Sequence, residues 1–192
     1  KGEDSNMKHI YLEIAKEAIE DRLYDRDTID REKIIDAYPE LAQKGATFVT
    51  LNLYGGLRGC IGSLVAHRPL IDDLIGNAQS AAFRDPRFLP LSLTEFDEVE
   101  IEVSLLSEPK LLDYSSTADL KTKVQAGVDG VVLSLNGRRA TFLPQVWDEL
   151  PTFELFFMHL CQKAGLESNC LEEHPQIELY QVEKIKEVRD EY

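Results

Sequence analysis

The segment Leu57-Arg58-Gly59-Cys60-Ile61-Gly62-Ser63 sets a thiol between two glycines and two positions from a guanidinium. Glycine weakens a strand and marks a bulge or a close approach to the backbone. With small neighbours on both flanks, the Cys60 thiol is expected to stand uncovered. In a regular strand residues i and i+2 share a face, which puts Arg58, Cys60 and Gly62 on one side and Leu57, Gly59 and Ile61 on the other. A guanidinium beside a thiol favours the thiolate, the form that acts as nucleophile or ligand. Cys60 is therefore the candidate catalytic thiol and Arg58 its activating cation, with Gly59, Gly62 and Ser63 around the same site. The plainer reading is a packed cysteine, one of the most often buried residue types, beside an arginine held in an ion pair.

Charge points to the same stretch. From Tyr54 to Leu91, Arg58, Arg68, Arg84 and Arg87 outnumber Asp72, Asp73 and Asp85 in a chain whose net charge is −14. A locally positive patch on an acidic protein focuses a small anion toward it, and arginine suits bidentate contact with carboxylate or phosphate. Arg84 and Arg87 are expected to complete an anion clamp with Arg58. The competing reading has Arg84, Asp85 and Arg87 bracing a proline-rich turn. His67, seven residues after Cys60, is the weak candidate for a proton shuttle. No metal site is expected: His159 and Cys161 face different ways on a helix, and Cys170 and His174 fall in an irregular segment. No phosphate loop, dinucleotide fingerprint or nucleophile elbow occurs, and no cofactor is named by the sequence.

The elements that must position these residues follow from periodicity. Lys1 to Asn6 reads as a polar leader, a cloning remnant or the end of a linker, and the rest, 7–192, as a single domain. From Met7 to about Leu23, Ile10, Tyr11, Ile14, Ala18 and Ile19 recur at helical spacing. The stretch from Asp25 to Pro39 holds a second, short helix. Ala46 to Leu53 and Leu57 to Val65 alternate as strands around Tyr54-Gly55-Gly56, an antiparallel hairpin. Pro69 opens a helix with the stripe Leu70, Ile71, Leu74, Ile75, Ala78 and Ala82. Arg84 to Pro90 is irregular, Val99 to Leu106 a strand, and Asp119 to Gln125 a short helix. Gly130 to Leu135 and Arg139 to Leu143 flank Asn136-Gly137, a two-residue hairpin turn. Thr152 caps a last helix that stops at Gly165, and Ile177 to Ile185 returns as a final strand. The class is α+β: a mostly antiparallel, mixed sheet of five or more strands flanked by helices, with a smaller helical lobe.

Composition bounds the function. The chain has 192 residues, 43% hydrophobic and 29% charged, with 35 acidic against 21 basic residues. Nucleic-acid and anionic-membrane binding both need the opposite sign of charge. No apolar run approaches the roughly 20 residues of a membrane span, and no signal peptide is read at the start. Three cysteines without a CxxC spacing fit a reducing, cytoplasmic setting.

LRGCIGS, then RDPRFLPL, EIEVSLLSEP, GVDGVVL, TFLPQVW and KAGL resemble, in order and with natural spacing from about Ala46 to Leu166, the AMMECR family, whose prokaryotic members are called AmmeMemoRadiSam system protein A. The resemblance implies an α+β fold with a smaller lobe. It also implies association with Memo-like and radical SAM proteins, and it brings no established reaction. The family often carries His where this chain has Asp129, so a Cys/His dyad built on that position is absent here. Two readings stand: an enzyme or enzyme component using Cys60 on a small anionic substrate, or a binding or adaptor module for such partners.

Overall fold

The stripe of Tyr11, Ile14, Ala15, Ala18 and Ile19, all buried, winds the start of the chain into an amphipathic helix. In the computed structural model, which describes residues 2–187, this is α1 (Gly2–Leu23), so residues 2–6 continue the helix. It is followed by α2 (Arg31–Ala37), β1 (Ala46–Leu53), β2 (Gly56–Gly62), α3 (Leu70–Phe83), α4 (Leu93–Glu98) and β3 (Glu100–Leu106). Next come β4 (Lys110–Leu111), α5 (Thr117–Lys123), β5 (Gly130–Leu135), β6 (Arg138–Phe142), α6 (Phe153–Lys163), β7 (Gln176–Tyr180) and β8 (Val182–Lys186). Among the described residues no helix is long and apolar enough to cross a membrane.

The chain divides into two compact units. The first runs to Leu106 and resumes at Glu183; the second is Ser107–Val182. Each has its own sheet, ordered β2-β1-β3-β8 and β4-β7-β5-β6. β1 pairs antiparallel with both β2 and β3, and β5 with both β6 and β7. The fold is thus the α+β, mostly antiparallel one expected, with the strands shared between two sheets and a sheet as well as helices in the smaller unit. The final strand expected from Ile177 to Ile185 is two strands parted at Gln181, one in each sheet.

In the first unit, Val49, Leu51, Ile101 and Val103 alternate toward α1 and α3 and close a core with Ile14, Ile71 and Leu74. The second core is aromatic: Trp147 stacks on Phe156 with centroids 3.7 Å apart, and Phe157, Leu133 and Ile177 pack around them. Cys161 and Cys170, both buried in this core, form a disulfide. Two of the three cysteines are therefore paired, which removes the support that cysteine usage lent to a reducing setting. Cys60 is the free cysteine. The helix α4 was not anticipated from the sequence. Ser92 caps it, accepting from the Glu95 amide while the Glu95 side chain accepts from the Ser92 amide, a reciprocal capping box.

Candidate functional site

The hairpin turns at Tyr54 and Gly55, whose φ angles of +51° and +79° are left-handed. Along its strands Thr50 faces Cys60 and Leu51 faces Gly59, but Asn52 then faces Leu57. Arg58 is left without a cross-strand partner: it is the extra residue of a β-bulge, which re-aims its side chain. Alternation slips by one at that point, so Arg58 and Cys60 do not share a face as regular pleating requires. The guanidinium runs instead to the segment before β3. Its Nε and Nη2 donate to the two Glu95 carboxylate oxygens at 2.6 and 3.1 Å, and Nη2 also donates to the Leu89 carbonyl at 2.7 Å. The Phe88 ring lies 5.5 Å from its central carbon. These bonds, above all those from Arg58, pull Glu95 down to about 2, against the opposing effect of burial. Arg58 is 8% exposed, and its buried Nη1 has no hydrogen-bond partner. It is a structural cation tying the bulge to α4.

The two glycines also answer to packing. A Cβ on Gly59 would stand 2.1 Å from the Ala81 carbonyl oxygen, so α3 could not lie this close to β2 with any larger residue. A Cβ on Gly62 would stand 2.1 Å from the ring of Phe48, its cross-strand partner. Close packing, against the Ala81 carbonyl at Gly59 and the Phe48 ring at Gly62, thus asks for glycine at both positions.

Cys60 itself is half-buried, its Sγ 3.2 Å from the Thr50 hydroxyl across the strand pair. Its amide donates to Asp85 Oδ2 at 3.0 Å. Asp85, 3% exposed, is also gripped by the Arg87 side chain through Nε at 3.0 Å and Nη2 at 2.8 Å. Those two bonds hold the Asp85 carboxyl far below the usual carboxylate range; the Cys60 and Arg87 amides add to them, and burial opposes. The guanidinium that reaches Cys60 is therefore that of Arg87, with Nη2 3.5 Å from the Cys60 carbonyl. Arg87 is raised above its ordinary value, first by its bonds to Asp85, with the charges of Asp85 and Cys60 contributing. Its Nη1 has no partner among the described residues, and the side chain is 54% exposed. Arg84 is exposed; its amide donates to the Ser80 carbonyl at 2.8 Å, and its side chain makes no hydrogen bond or ion pair among the described residues. His67 is exposed, with Nδ1 3.1 Å from the Val65 carbonyl, and no hydrogen bond joins it to Cys60.

Ser63 belongs to a second polar cluster, at the other end of β2. Asp73 at the start of α3, fully buried, accepts from Ser63 Oγ at 2.6 Å and Arg68 Nε at 2.9 Å on one oxygen. The other oxygen accepts from the Thr47 amide at 2.8 Å, the Thr47 hydroxyl at 2.9 Å and Asn77 Nδ2 at 3.1 Å. Sequence reading missed Thr47, Asp73 and Asn77. The signal was there: Asp73 and Asn77 are four apart, beside the apolar stripe of α3, where a polar pair must be buried and satisfied.

In the second unit, Asp129 accepts from the Gln125 amide at 2.7 Å and the Gln181 side chain at 2.9 Å, while its carbonyl takes the Trp147 indole N–H at 2.8 Å. This is a loop anchor. Among the described residues no group of three or more His, Cys, Asp or Glu side chains is placed to hold a metal ion.

Fold and site together describe an α+β protein of two small sheets, with its free thiol set beside an arginine–aspartate pair. The AMMECR1 family model matches residues 12–185, and the chain belongs to that family. It is 39% identical over 165 residues to a protein of Methanothermobacter thermautotrophicus, covering 83% of this chain and 82% of that one. It is 35% identical over 187 residues to protein PH0010 of Pyrococcus horikoshii, covering 92% of this chain and 87% of that protein. The crystal structure of the uncharacterized PH0010 superposes with a TM-score of 0.72 over 91% of this chain and 88% of that one. These relatives bring a fold and no reaction.

Proposed function

We propose that this chain binds a small anionic molecule against Cys60 and Arg87, as the thiol-bearing component of a reaction. The observation that carries the reading is the Arg87 guanidinium. Asp85 fixes its Nε and Nη2 edge beside Cys60, Phe88 lies 5.5 Å from its central carbon, and the side chain stays 54% exposed with Nη1 making no hydrogen bond among the described residues. Arg84 supplies a second unpaired cation three residues earlier in the chain. Arg58, Gly59, Gly62 and Ser63 support the site through the bulge, the close approach of α3 and the Asp73 cluster. Proton transfer is not provided for: Asp85 stays ionised, and His67 is engaged in its own loop. The geometry therefore favours a binding component over a self-sufficient acid–base catalyst.

The test compares alkylation of native Cys60 by anionic iodoacetate and neutral iodoacetamide, read by peptide mass spectrometry against a free cysteine peptide. Cys161 and Cys170, being bonded, cannot serve as controls. An anion site gives Cys60 a higher iodoacetate-to-iodoacetamide rate ratio than the peptide, despite the net charge of −14. Arg87→Ala and Arg84→Ala should bring the ratio down to the peptide's. A native ratio at or below the peptide's, or labelling only after unfolding, would leave Cys60 as packing.

A second reading, an adaptor for the Memo-like and radical SAM partners that the family resemblance implies, is favoured by exposed apolar side chains near Arg58. Tyr54 and Leu89 are each 84% exposed, and Leu57 and Leu93 are nearly half exposed. Leu57→Ser with Leu89→Ser should abolish binding of a purified partner and, adding no charge, leave the alkylation ratio unchanged. Retained binding in that variant would remove the reading.

A further inference from the structure

In the first sheet β8 is an edge: it pairs with β3 and with no other strand among the described residues. Beside it α1 and β8 wall a groove of about 640 Å3 with a mainly apolar surface, the size of a ligand cleft. Leu12 and Ile185 form its apolar part, and Lys8, Lys16, Lys184 and Lys186 stand around it against two glutamates, Glu13 and Glu187. With Glu183 and Glu102 beside Lys8 and Lys184, the groove is close to neutral on a chain of net charge −14. Lys8 lies 3.4 Å from Glu183 and Lys184 lies 3.9 Å from Glu102, both lysines more than half exposed, contacts that solvent screens. Lys16 and Lys186 have no ion pair among the described residues.

Lysine on an edge strand alone is a guard against unwanted pairing. That role asks for no lysine on the facing helix and no apolar trough between the two. A free strand edge beside a helix, with a trough for every second side chain, is how sheets take up an extended peptide. Main-chain bonds then supply affinity and the trough supplies selectivity.

We propose that the α1–β8 groove binds an extended segment of a partner protein as an added strand along β8, with acidic residues alternating with apolar ones. Apolar side chains of the segment rest on Leu12 and Ile185, and its carboxylates meet Lys16 and Lys186, the two cations without a partner of their own. This is independent of the Cys60 site.

The test pans a display library of random nine-residue peptides against the full chain and, in parallel, against the double variant Lys16→Glu/Lys186→Glu. Both positions are exposed, and an unchanged melting curve confirms that the variant is folded. Peptides enriched on the parent alone should carry Asp or Glu at alternate positions. The best of them, synthesised, should bind the variant about tenfold more weakly and lose a similar factor when one alternate set of its amides is N-methylated. Methylating the other set should change little, because only one set faces the strand edge. Enrichment equal on both proteins, enriched sequences without acidic residues, or binding indifferent to N-methylation would each overturn the proposal.

Discussion

The two units are stabilised by different means. Of the buried polar or charged side chains among the described residues, Asp21, Thr47, Arg58, Asp73, Asn77, Asp85 and Ser104 lie in the first unit and Asp129 alone in the second. The first unit ties its hairpin, α3 and α4 together with carboxylates that take several donors each. The second stacks aromatic rings and closes a covalent link between Cys161 and Cys170. Buried polar groups stabilise only when every partner is in place, so they fix one arrangement of the chain far more sharply than apolar contacts do. The difference locates specificity where the motif is. The hairpin of Cys60 is held at the bulge by Glu95, at the Cys60 amide by Asp85 and at its far end by Asp73.

The largest test of that contrast is Asp73→Ala, which removes a fully buried carboxylate with its five hydrogen bonds and leaves the Thr47, Ser63 and Asn77 donors and the part-exposed Arg68 without it. We expect a loss of about 3–5 kcal/mol in the first unit. Because the single tryptophan, Trp147, is buried in the second unit, its emission reports on that unit. In urea, the native iodoacetate-to-iodoacetamide ratio at Cys60 should fall to that of a free peptide well before the Trp147 signal changes. If the two transitions move together, the units unfold as one and the contrast has no energetic meaning.

Cys161→Ala with Cys170→Ala is the converse experiment. Opening a link between residues nine apart should cost about 2.5–3 kcal/mol in the chain-entropy account, seen as an earlier Trp147 transition. Native alkylation at Cys60 should not change. Smaller again is Gly62→Ala, whose new methyl meets the Phe48 ring, a side chain able to yield; we expect about 1–3 kcal/mol in chemical denaturation. A silent Gly62→Ala would return that glycine to the site and away from packing.

Acid should separate the units by salt dependence. Glu95 and Asp85 are both held below their ordinary values, so the stability they add is complete above the unfolded carboxylate range of about 4. It is lost as pH falls through the folded values, for Glu95 between its ordinary 4.5 and about 2. Glu95→Gln should flatten that decline in the first unit at any ionic strength. In the second unit the lowered carboxylates are Asp119, held first by the Ser115 amide, and Glu154, held by Lys121. The exposed Lys121–Glu154 pair should fade with added salt.

Much of this architecture was legible because it is local. Tyr54-Gly55 and Asn136-Gly137 announce their turns, Thr152 its helix, and the alternation of Ala46 to Leu53 its two faces. What escaped depends on partners far away in sequence. Nothing in the run from Gln176 to Lys186 says that the strand changes sheets at Gln181. Two cysteines nine apart carry no signature of bonding. The bulge is the instructive case, since Gly59 is the residue type that marks one, yet regular alternation was assumed through it. Regular alternation sets Arg58 beside Cys60, whereas the guanidinium that reaches Cys60, at its carbonyl, is that of Arg87. Asp85 could not be weighed until its position beside the Cys60 amide was known.

The path of the chain through β3 and β8 has one more consequence. These strands are neighbours in the first sheet, and everything from Ser107 to Val182 is threaded between them. The Ser107 amide bonds the Gln181 carbonyl at 2.9 Å and the Gln181 amide bonds the Ser107 hydroxyl at 2.8 Å, so the way out and the way back are clasped together. The second unit therefore leaves and rejoins the first sheet through a single gate, its entry and exit residues one hydrogen bond apart.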